Sequence, residues 1–191
     1  MSPSSNFGSS IAPAKRRIPI ASPSLRKLLL TLHLFSAVGW IGAIVAYIAV
    51  NIAALTSSSD TIVRGAFLIL KPMLIYAITP LALTALTTGI VLALVTPWGL
   101  LRHRWVVASL WLTGLAVVLL VAHINGDDIT ELTNIANDTS KPASSNLGDL
   151  PNAIGGLVLV SIAFVLNVYK PRGLTKRGKQ LQEIKAKNGQ I

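Results

Sequence analysis

The feature that most constrains this chain is an uncharged stretch, residues 28–55, near its amino terminus. A helix needs about 20 apolar residues to cross the hydrocarbon core of a bilayer, so this stretch is long enough to span it. The stretch also contains His33, Trp40, Tyr47 and Asn51. At about 100° per residue, the last three return to nearly the same helix face as His33. The stretch therefore predicts a transmembrane helix with one polar and aromatic stripe.

Charged residues are scarce in the chain as a whole. Only 13% of the 191 residues are charged, against roughly 25% in a typical soluble domain. Three further apolar runs follow the first, at 73–95, 105–124 and 150–169. The charged residues behind the net charge of +10 lie outside these runs, in the two ends of the chain and in the connections, where basic residues set membrane topology, so no nucleic-acid partner is predicted. We predict an all-α integral membrane four-helix bundle occupying residues 28–169.

The Lys and Arg residues are distributed unevenly among the connections. If the amino terminus is cytoplasmic, all 17 except Arg64, Lys71 and Lys141 fall on the cytoplasmic side. Six of the seven acidic residues, all except Glu183, then lie in the connections on the opposite, outer side of the membrane. This asymmetry follows the positive-inside rule. It predicts a bacterial inner-membrane protein with both termini in the cytoplasm.

The two ends of the chain are polar and basic. Residues 1–27 are rich in Ser, Pro and Ala, and we predict a disordered basic arm. A cleaved secretory signal is the alternative, but 28–55 is much longer than the roughly 7–15 apolar residues of such signals. Residues 170–191 form a basic cytoplasmic tail whose later part can fold as a short helix on anionic lipid. The bilayer and its anionic lipids are thus the predicted partners of both ends.

The connections and one proline carry further expectations. Residues 62–72 are predicted either as a short interfacial helix or as the lead-in to the second span. Pro80 lies inside that span and removes a backbone donor, so a local kink is expected. Residues 125–149 are predicted as an acidic, polar loop.

Histidine is the residue type on which any site chemistry depends. The chain has no cysteine and only two methionines, which excludes thiolate metal sites and a methionine-rich copper pathway. His33 lies about 8 Å into the first span, and it is either a ligand of haem b or a metal, or a neutral side chain bonded between helices. His103 is either the second haem ligand or an exposed loop histidine. Trp40 and Tyr47 either line the pocket of such a haem or pack between helices.

A second candidate site lies at the opposite end of the predicted bundle. His123 ends the third span, about 30 Å from His103, and Asp127 and Glu131 follow it at helical spacing. These three residues either bind a divalent cation or form a solvated helix end.

The motif search gives no catalytic residue. The sequence has no Walker loop, GxGxxG, GxSxG or HExxH motif. No acid or base lies in the middle of a predicted span, so the usual relay of a proton-coupled pump is missing. The predicted function is that of an accessory or binding component, with other membrane subunits or a second copy of the chain as partners.

Three segments resemble known proteins. Residues 32–43 (LHLFSAVGWIGA), 96–106 (TPWGLLRHRWV) and 117–123 (VVLLVAH) are similar to actinobacterial predicted integral membrane proteins of unknown function. The narrower pattern from His33 to Trp40, LHxxxxxxW, resembles the first helix of CopD-like copper-resistance proteins and of the haem-containing membrane protoporphyrinogen oxidase.

This resemblance implies the four-helix fold and makes His33 a candidate axial ligand of haem. In the oxidase a lysine on a later helix serves the haem as well, and at the position where that lysine is expected this chain has Ser109. The resemblance adds two alternative functions, a haem-dependent membrane oxidoreductase and a copper or small-solute transport component.

Overall fold

The computed structural model describes residues 22–96, 99–143 and 149–187. Within these ranges the elements are α-helices and one π-helical turn. They are α1 (Pro23–Thr56), α2 (Asp60–Met73), the π-helical turn (Leu74–Ile78), α3 (Thr79–Val95), α4 (Arg104–Ile124), α5 (Asp127–Asn137), α6 (Leu150–Tyr169) and α7 (Lys176–Lys187).

Four helical segments are long and apolar enough to cross a membrane. They are Pro23–Thr56, Asp60–Val95, Arg104–Ile124 and Leu150–Tyr169, which confirms the existence of the four predicted spans. Their outward faces are strongly apolar, since the side chains of Phe35, Trp111 and Val118 are 73%, 75% and 65% exposed. So much exposed apolar surface is unfavourable in water and favourable against lipid tails. The chain has the properties of a multi-pass membrane protein.

The first helix begins earlier than the predicted span. Ser22 caps it by accepting a hydrogen bond on Oγ from the Leu25 amide (3.3 Å), and Pro23 occupies its first turn. Both are favourable at helix starts, because the cap supplies an acceptor and proline lacks an amide that would stay unbonded there. Residues 23–27, predicted as part of the disordered arm, are therefore helical, and residues 1–21 lie outside the described residues.

The second span is one long helical segment with a distortion in its middle. Residues 62–72 belong to α2 and continue directly into the π-helical turn and α3, so the lead-in alternative is confirmed. The π-helical turn lies just before Pro80, whose missing amide prevents a regular α-helical hydrogen bond. The Leu74 carbonyl oxygen of this turn accepts from the Thr79 amide and also from Thr79 Oγ1, the latter at 2.7 Å.

The connection predicted as a loop contains a helix, so that prediction is wrong for residues 127–137. The helix, α5, buries Ile129, Leu132 and Ala136, which are spaced to lie on one face, and it packs against α2. The sequence suggests a loop because α5 is polar on every other face, and only the neighbouring apolar face of α2 makes a helix favourable here.

Arg64 of α2 holds the carboxyl end of α5. Its guanidinium donates to the carbonyl oxygens of Ile135 (2.9 Å), Ala136 (3.2 Å), Asp138 (2.7 Å) and Lys141. The last carbonyl groups of a helix have no hydrogen-bond donor within the helix. A cation at this position donates to them and also interacts favourably with the negative end of the helix dipole.

Each of the four spans packs against two of the others. Helix α1 packs against α3 and α6, and α4 packs against the same two helices. Both ends of the described chain lie at one end of this assembly, which we call the basic end because it carries Arg26, Arg102 and Lys170. Helix α5 lies at the other end, which we call the α5 end.

The tail folds back onto the basic end. The Thr175 amide donates to the Arg102 carbonyl oxygen (3.0 Å), and the Arg104 amide donates to the Gly173 carbonyl oxygen (3.2 Å). A Cβ at Gly178 would clash with the Arg102 carbonyl oxygen, so this position requires glycine. The predicted short tail helix is confirmed as α7, whereas its contact with anionic lipid remains a prediction.

Replacing Arg64 with Ala should release α5 from α2. Several carbonyl groups would lose a charged donor, and we expect a loss of about 2–3 kcal/mol of stability that is confined to residues 127–141. Hydrogen–deuterium exchange of the detergent-purified protein measures this loss directly. Lys71→Ala, which removes a charge from the same helix, is the matched control. Unchanged exchange in the Arg64→Ala protein would contradict the role of the guanidinium.

Candidate functional site

The stripe predicted on the first span faces the protein interior. Ser36, Trp40, Tyr47 and Asn51 are buried on α1, and His33 is half-buried on the same face. At about 1.5 Å per residue, His33 and Tyr47 are about 21 Å apart along the helix. One helix face therefore contributes side chains to two separate places, one near each end of the assembly.

The inner cavity, next to the basic end, contains His33. It measures about 410 Å³ and lies between α1, α3, α4 and α6. Its walls are largely apolar, with Leu30, Leu110 and Phe164 among them, and Arg26 and Lys170 line it at the basic end. A largely apolar cavity with few polar groups is the usual form of a small-molecule site.

The hydrogen bonds of His33 determine its tautomer. Nδ1 lies 3.0 Å from the Ala85 carbonyl oxygen and 3.1 Å from Thr88 Oγ1. A carbonyl oxygen only accepts, so Nδ1 must carry the proton. The Thr88 hydroxyl donates its own proton to the Thr84 carbonyl oxygen at 2.5 Å and is free to accept from the imidazole. The neutral ring therefore keeps its lone pair on Nε2, which is the nitrogen available to a ligand.

Gly89 allows the imidazole to lie against α3. A Cβ at this position would come within 3.1 Å of His33 Cε1, a distance at which the ring would have to move. His33 is recognisable in the sequence as an ionisable residue within a predicted span, whereas its partners Ala85, Thr88 and Gly89 were not predicted. These residues lie on another helix, and nothing in their local pattern marks them as partners of a histidine.

His103 occupies a different environment from the one predicted for a second haem ligand. It is the residue before α4, its backbone bridges to Leu174, and its ring lies 6.4 Å from that of Trp105. It is not among the residues that line the inner cavity. Burial, followed by the charge of Arg102, lowers the pKa of the His103 imidazole below its ordinary value, which favours the neutral ring.

A buried carboxylate forms the centre of the α5 end. Asp149 is 2% exposed, and it accepts hydrogen bonds from the Tyr47 hydroxyl and from Asn152 Nδ2 (2.9 Å). His123 Nε2 lies 2.9 Å from Asp149 Oδ2. The Asp149 amide donates to Asn51 Oδ1 at 3.1 Å. These contacts join α1, α4 and α6 around one carboxylate, which in a poorly hydrated place requires such partners.

Asp149 was not predicted as a site residue. It was grouped with the acids of the predicted loop, although it stands directly before an apolar run that spans the membrane. An acid at the start of an apolar helix is a recognisable signal, since the helix amino terminus favours negative charge. Its partners Tyr47 and His123 lie on helices distant in sequence and carry no local signal.

A second space, the outer cavity, lies beside this carboxylate. It measures about 520 Å³, and Trp40, Tyr47, His123 and Asp149 line it together with apolar residues of α4, α6 and the π-helical turn. Trp40 and Tyr47 thus face this cavity and not the inner one, where they were predicted to accompany His33. The two cavities have no lining residue in common.

The predicted cation site at His123, Asp127 and Glu131 is not assembled in the described part of the chain. His123 faces Asp149, whereas Asp127 and Glu131 are exposed on α5. Among residues 22–96, 99–143 and 149–187, no three His, Asp or Glu side chains lie close enough to share a metal ion.

Replacing Asp149 with Ala should destabilise the protein by about 3 kcal/mol. The Tyr47 hydroxyl, the Asn152 amide and the His123 imidazole would lose their shared acceptor in a buried place. Thermal unfolding of the detergent-purified protein measures the effect, with Glu131→Ala as the control because that acid is exposed. Equal stability of the two variants would show that the buried carboxylate does not hold the helices together.

Comparison with known proteins gives no family for this chain. No protein-family model, curated protein or solved structure matches it. The function is therefore inferred from the chemistry of the two cavities.

Proposed function

We propose that this multi-pass membrane protein binds haem b in the inner cavity, with His33 as its axial ligand. The observation that carries the proposal is the fixed tautomer of His33, with Nδ1–H bonded to the Ala85 carbonyl and Nε2 free. Histidines that ligate metals are usually held in this way, because the second-shell bond orients the ring and raises the basicity of the other nitrogen.

The charges around the inner cavity match those of haem. The porphyrin ring is planar and apolar, and it carries two propionate groups that are negatively charged. Leu30, Leu110 and Phe164 offer apolar surface for the ring, and Arg26 and Lys170 offer positive charge at the basic end. Haem bound there would supply one-electron redox chemistry, while the chain orients it and excludes water.

The residues opposite His33 favour a binding role over oxidase activity. Ser109, at the position where the resemblance leads us to expect a ligating lysine, is 6% exposed and lines the same cavity as His33. A hydroxyl is a poor substitute for an amine as a haem ligand. His33 is the only imidazole among the described residues of this cavity wall. We therefore propose that the haem iron has one strong protein ligand and that the protein binds haem or transfers electrons through it.

An absorption spectrum of the purified protein tests the haem proposal. Protein from haem-replete cells should show a Soret band, and dithionite reduction should sharpen the α and β bands. His33→Ala should lose these bands, whereas His103→Ala should keep them, since His103 lies outside the cavity.

A third variant tests the geometry of the ligand. Gly89→Val should reduce haem occupancy several-fold, because the added side chain would displace the imidazole that lies 3.1 Å from the position of its Cβ. Size-exclusion elution at the wild-type volume shows that each variant is folded. A colourless wild-type protein, or full occupancy in His33→Ala, would contradict haem binding at His33.

We further propose that the basic end faces the cytoplasm. This rests on the packing of residues 173–178 against residues 101–104, which gathers the basic groups of the tail and of the α3–α4 connection at one end. Basic connections are retained on the cytoplasmic side during insertion. Alkaline phosphatase fused after Ile191 should be inactive, and the same enzyme fused after Lys141 should be active. The reverse result would overturn the assignment.

A further inference from the structure

Two hydroxyl groups of α4 lie in the wall of the inner cavity without a hydrogen-bond partner. Ser109 is 6% exposed, and Thr113 follows it one helical turn later. Both residues line the inner cavity, and neither hydroxyl is paired within the described part of the chain. Ser109 Oγ nevertheless keeps accessible surface, so a molecule in the cavity can reach it. Buried polar groups are nearly always paired, so this unpaired hydroxyl requires an explanation.

The threonines of α3 show what a hydroxyl usually does within a membrane span. Thr84, Thr87 and Thr96 each donate to the carbonyl oxygen four residues earlier, at 2.7, 2.8 and 2.7 Å. The same bond is open to a serine in any helix. Ser109 makes no such bond within the described helix α4, so its proton remains available to an acceptor in the cavity.

Ser109 and His33 lie at a similar depth on opposite sides of the inner cavity. Helices α1 and α4 each pack against α3 and α6, so they face each other across the cavity. The His33 ring lies against Gly89, which is about 9 Å before the end of α3 at Val95. Ser109 is about 8 Å after the start of α4, which follows α3 through a short connection. A group held between α1 and α4 would therefore have the imidazole on one side and the Ser109 hydroxyl on the other.

From this arrangement we propose that the inner cavity also binds a neutral diatomic gas, held on the haem iron opposite His33, and that Ser109 Oγ donates a hydrogen bond to it. The inference rests on the proposed haem site and adds the class of ligand that this site would take. The usual strong protein ligands of haem iron are His, Cys, Met and Tyr. Among the described residues of this cavity wall, His33 is the only one of these types, which leaves the position on the Ser109 side to an external ligand.

The wall around Ser109 favours a neutral ligand over an anion. Val106, Leu110 and Phe164 make this part of the wall apolar, whereas the positive charges that line the cavity, Arg26 and Lys170, lie at its basic end. Arg26 is about 10 Å from His33 along α1. An anion at the depth of Ser109 would lose its hydration without gaining a paired charge, which is costly. A diatomic gas carries no charge and reaches the cavity through the bilayer.

The infrared C–O stretching band of bound carbon monoxide tests the hydrogen bond directly. The dithionite-reduced, detergent-purified full chain should bind carbon monoxide and shift its Soret band. A donor to the ligand oxygen weakens the C–O bond, so Ser109→Ala should move the stretching band to higher wavenumber. Ser109→Thr keeps a hydroxyl and should remain near the wild-type band. Ser161→Ala, which removes the hydroxyl of an α6 serine outside both cavities, is the matched control and should not move it.

A larger side chain tests where the gas binds. Ser109→Leu fills the space opposite His33, and it should lower the affinity for carbon monoxide per bound haem about tenfold while the haem bands remain. Haem bands without any response to carbon monoxide, or the same stretching band in the wild type and Ser109→Ala, would overturn this inference and leave the proposed haem binding intact. Absence of the haem bands themselves would overturn both.

Discussion

The carboxylate of Asp149 is the interaction on which the arrangement of the spans depends. It accepts from Tyr47 on α1 and Asn152 on α6 and lies against His123 on α4, so three of the four spans meet at one charge. Apolar side chains give little preference between one helix pairing and another in lipid, because the tails of the lipid are as apolar as the side chains. A buried charge does give a preference, since it is tolerated only where its partners are placed around it. The outer cavity lies beside this contact, so Asp149, Tyr47 and His123 are among the residues that line it.

The same requirement explains the irregular parts of the fold. Backbone groups within the membrane need partners inside the protein, and where the π-helical turn precedes Pro80 the Leu74 carbonyl accepts from both the amide and the hydroxyl of Thr79. Outside the spans, Arg64 pairs with the last carbonyls of α5. Each of these places thus has a side chain that donates to nearby backbone carbonyl groups.

The two cavities differ in the polar groups that they present. The inner cavity offers a lone pair on His33 Nε2 together with the positive charges of Arg26 and Lys170, a combination suited to a metal and an anion. The outer cavity is bordered instead by the Asp149 carboxylate and by Tyr47 and Asn152, which donate to that carboxylate. The donor and acceptor character of each wall, more than its volume, distinguishes what the two cavities can bind.

The sequence by itself determined the four spans and the buried stripe of α1, because length, apolar content and helical period are local properties. It also singled out His33, since an ionisable group within an apolar run is recognisable without its neighbours. Only the tertiary structure decided what these residues contact: Ala85 is 52 residues from His33, and Asp149 is 102 residues from Tyr47. It also decided that α5 is helical, because a short polar segment becomes a stable helix only against α2 and Arg64. Contacts between distant segments have no local pattern, so the tautomer of His33, the role of Asp149 and the division into two cavities became visible only in the packed structure.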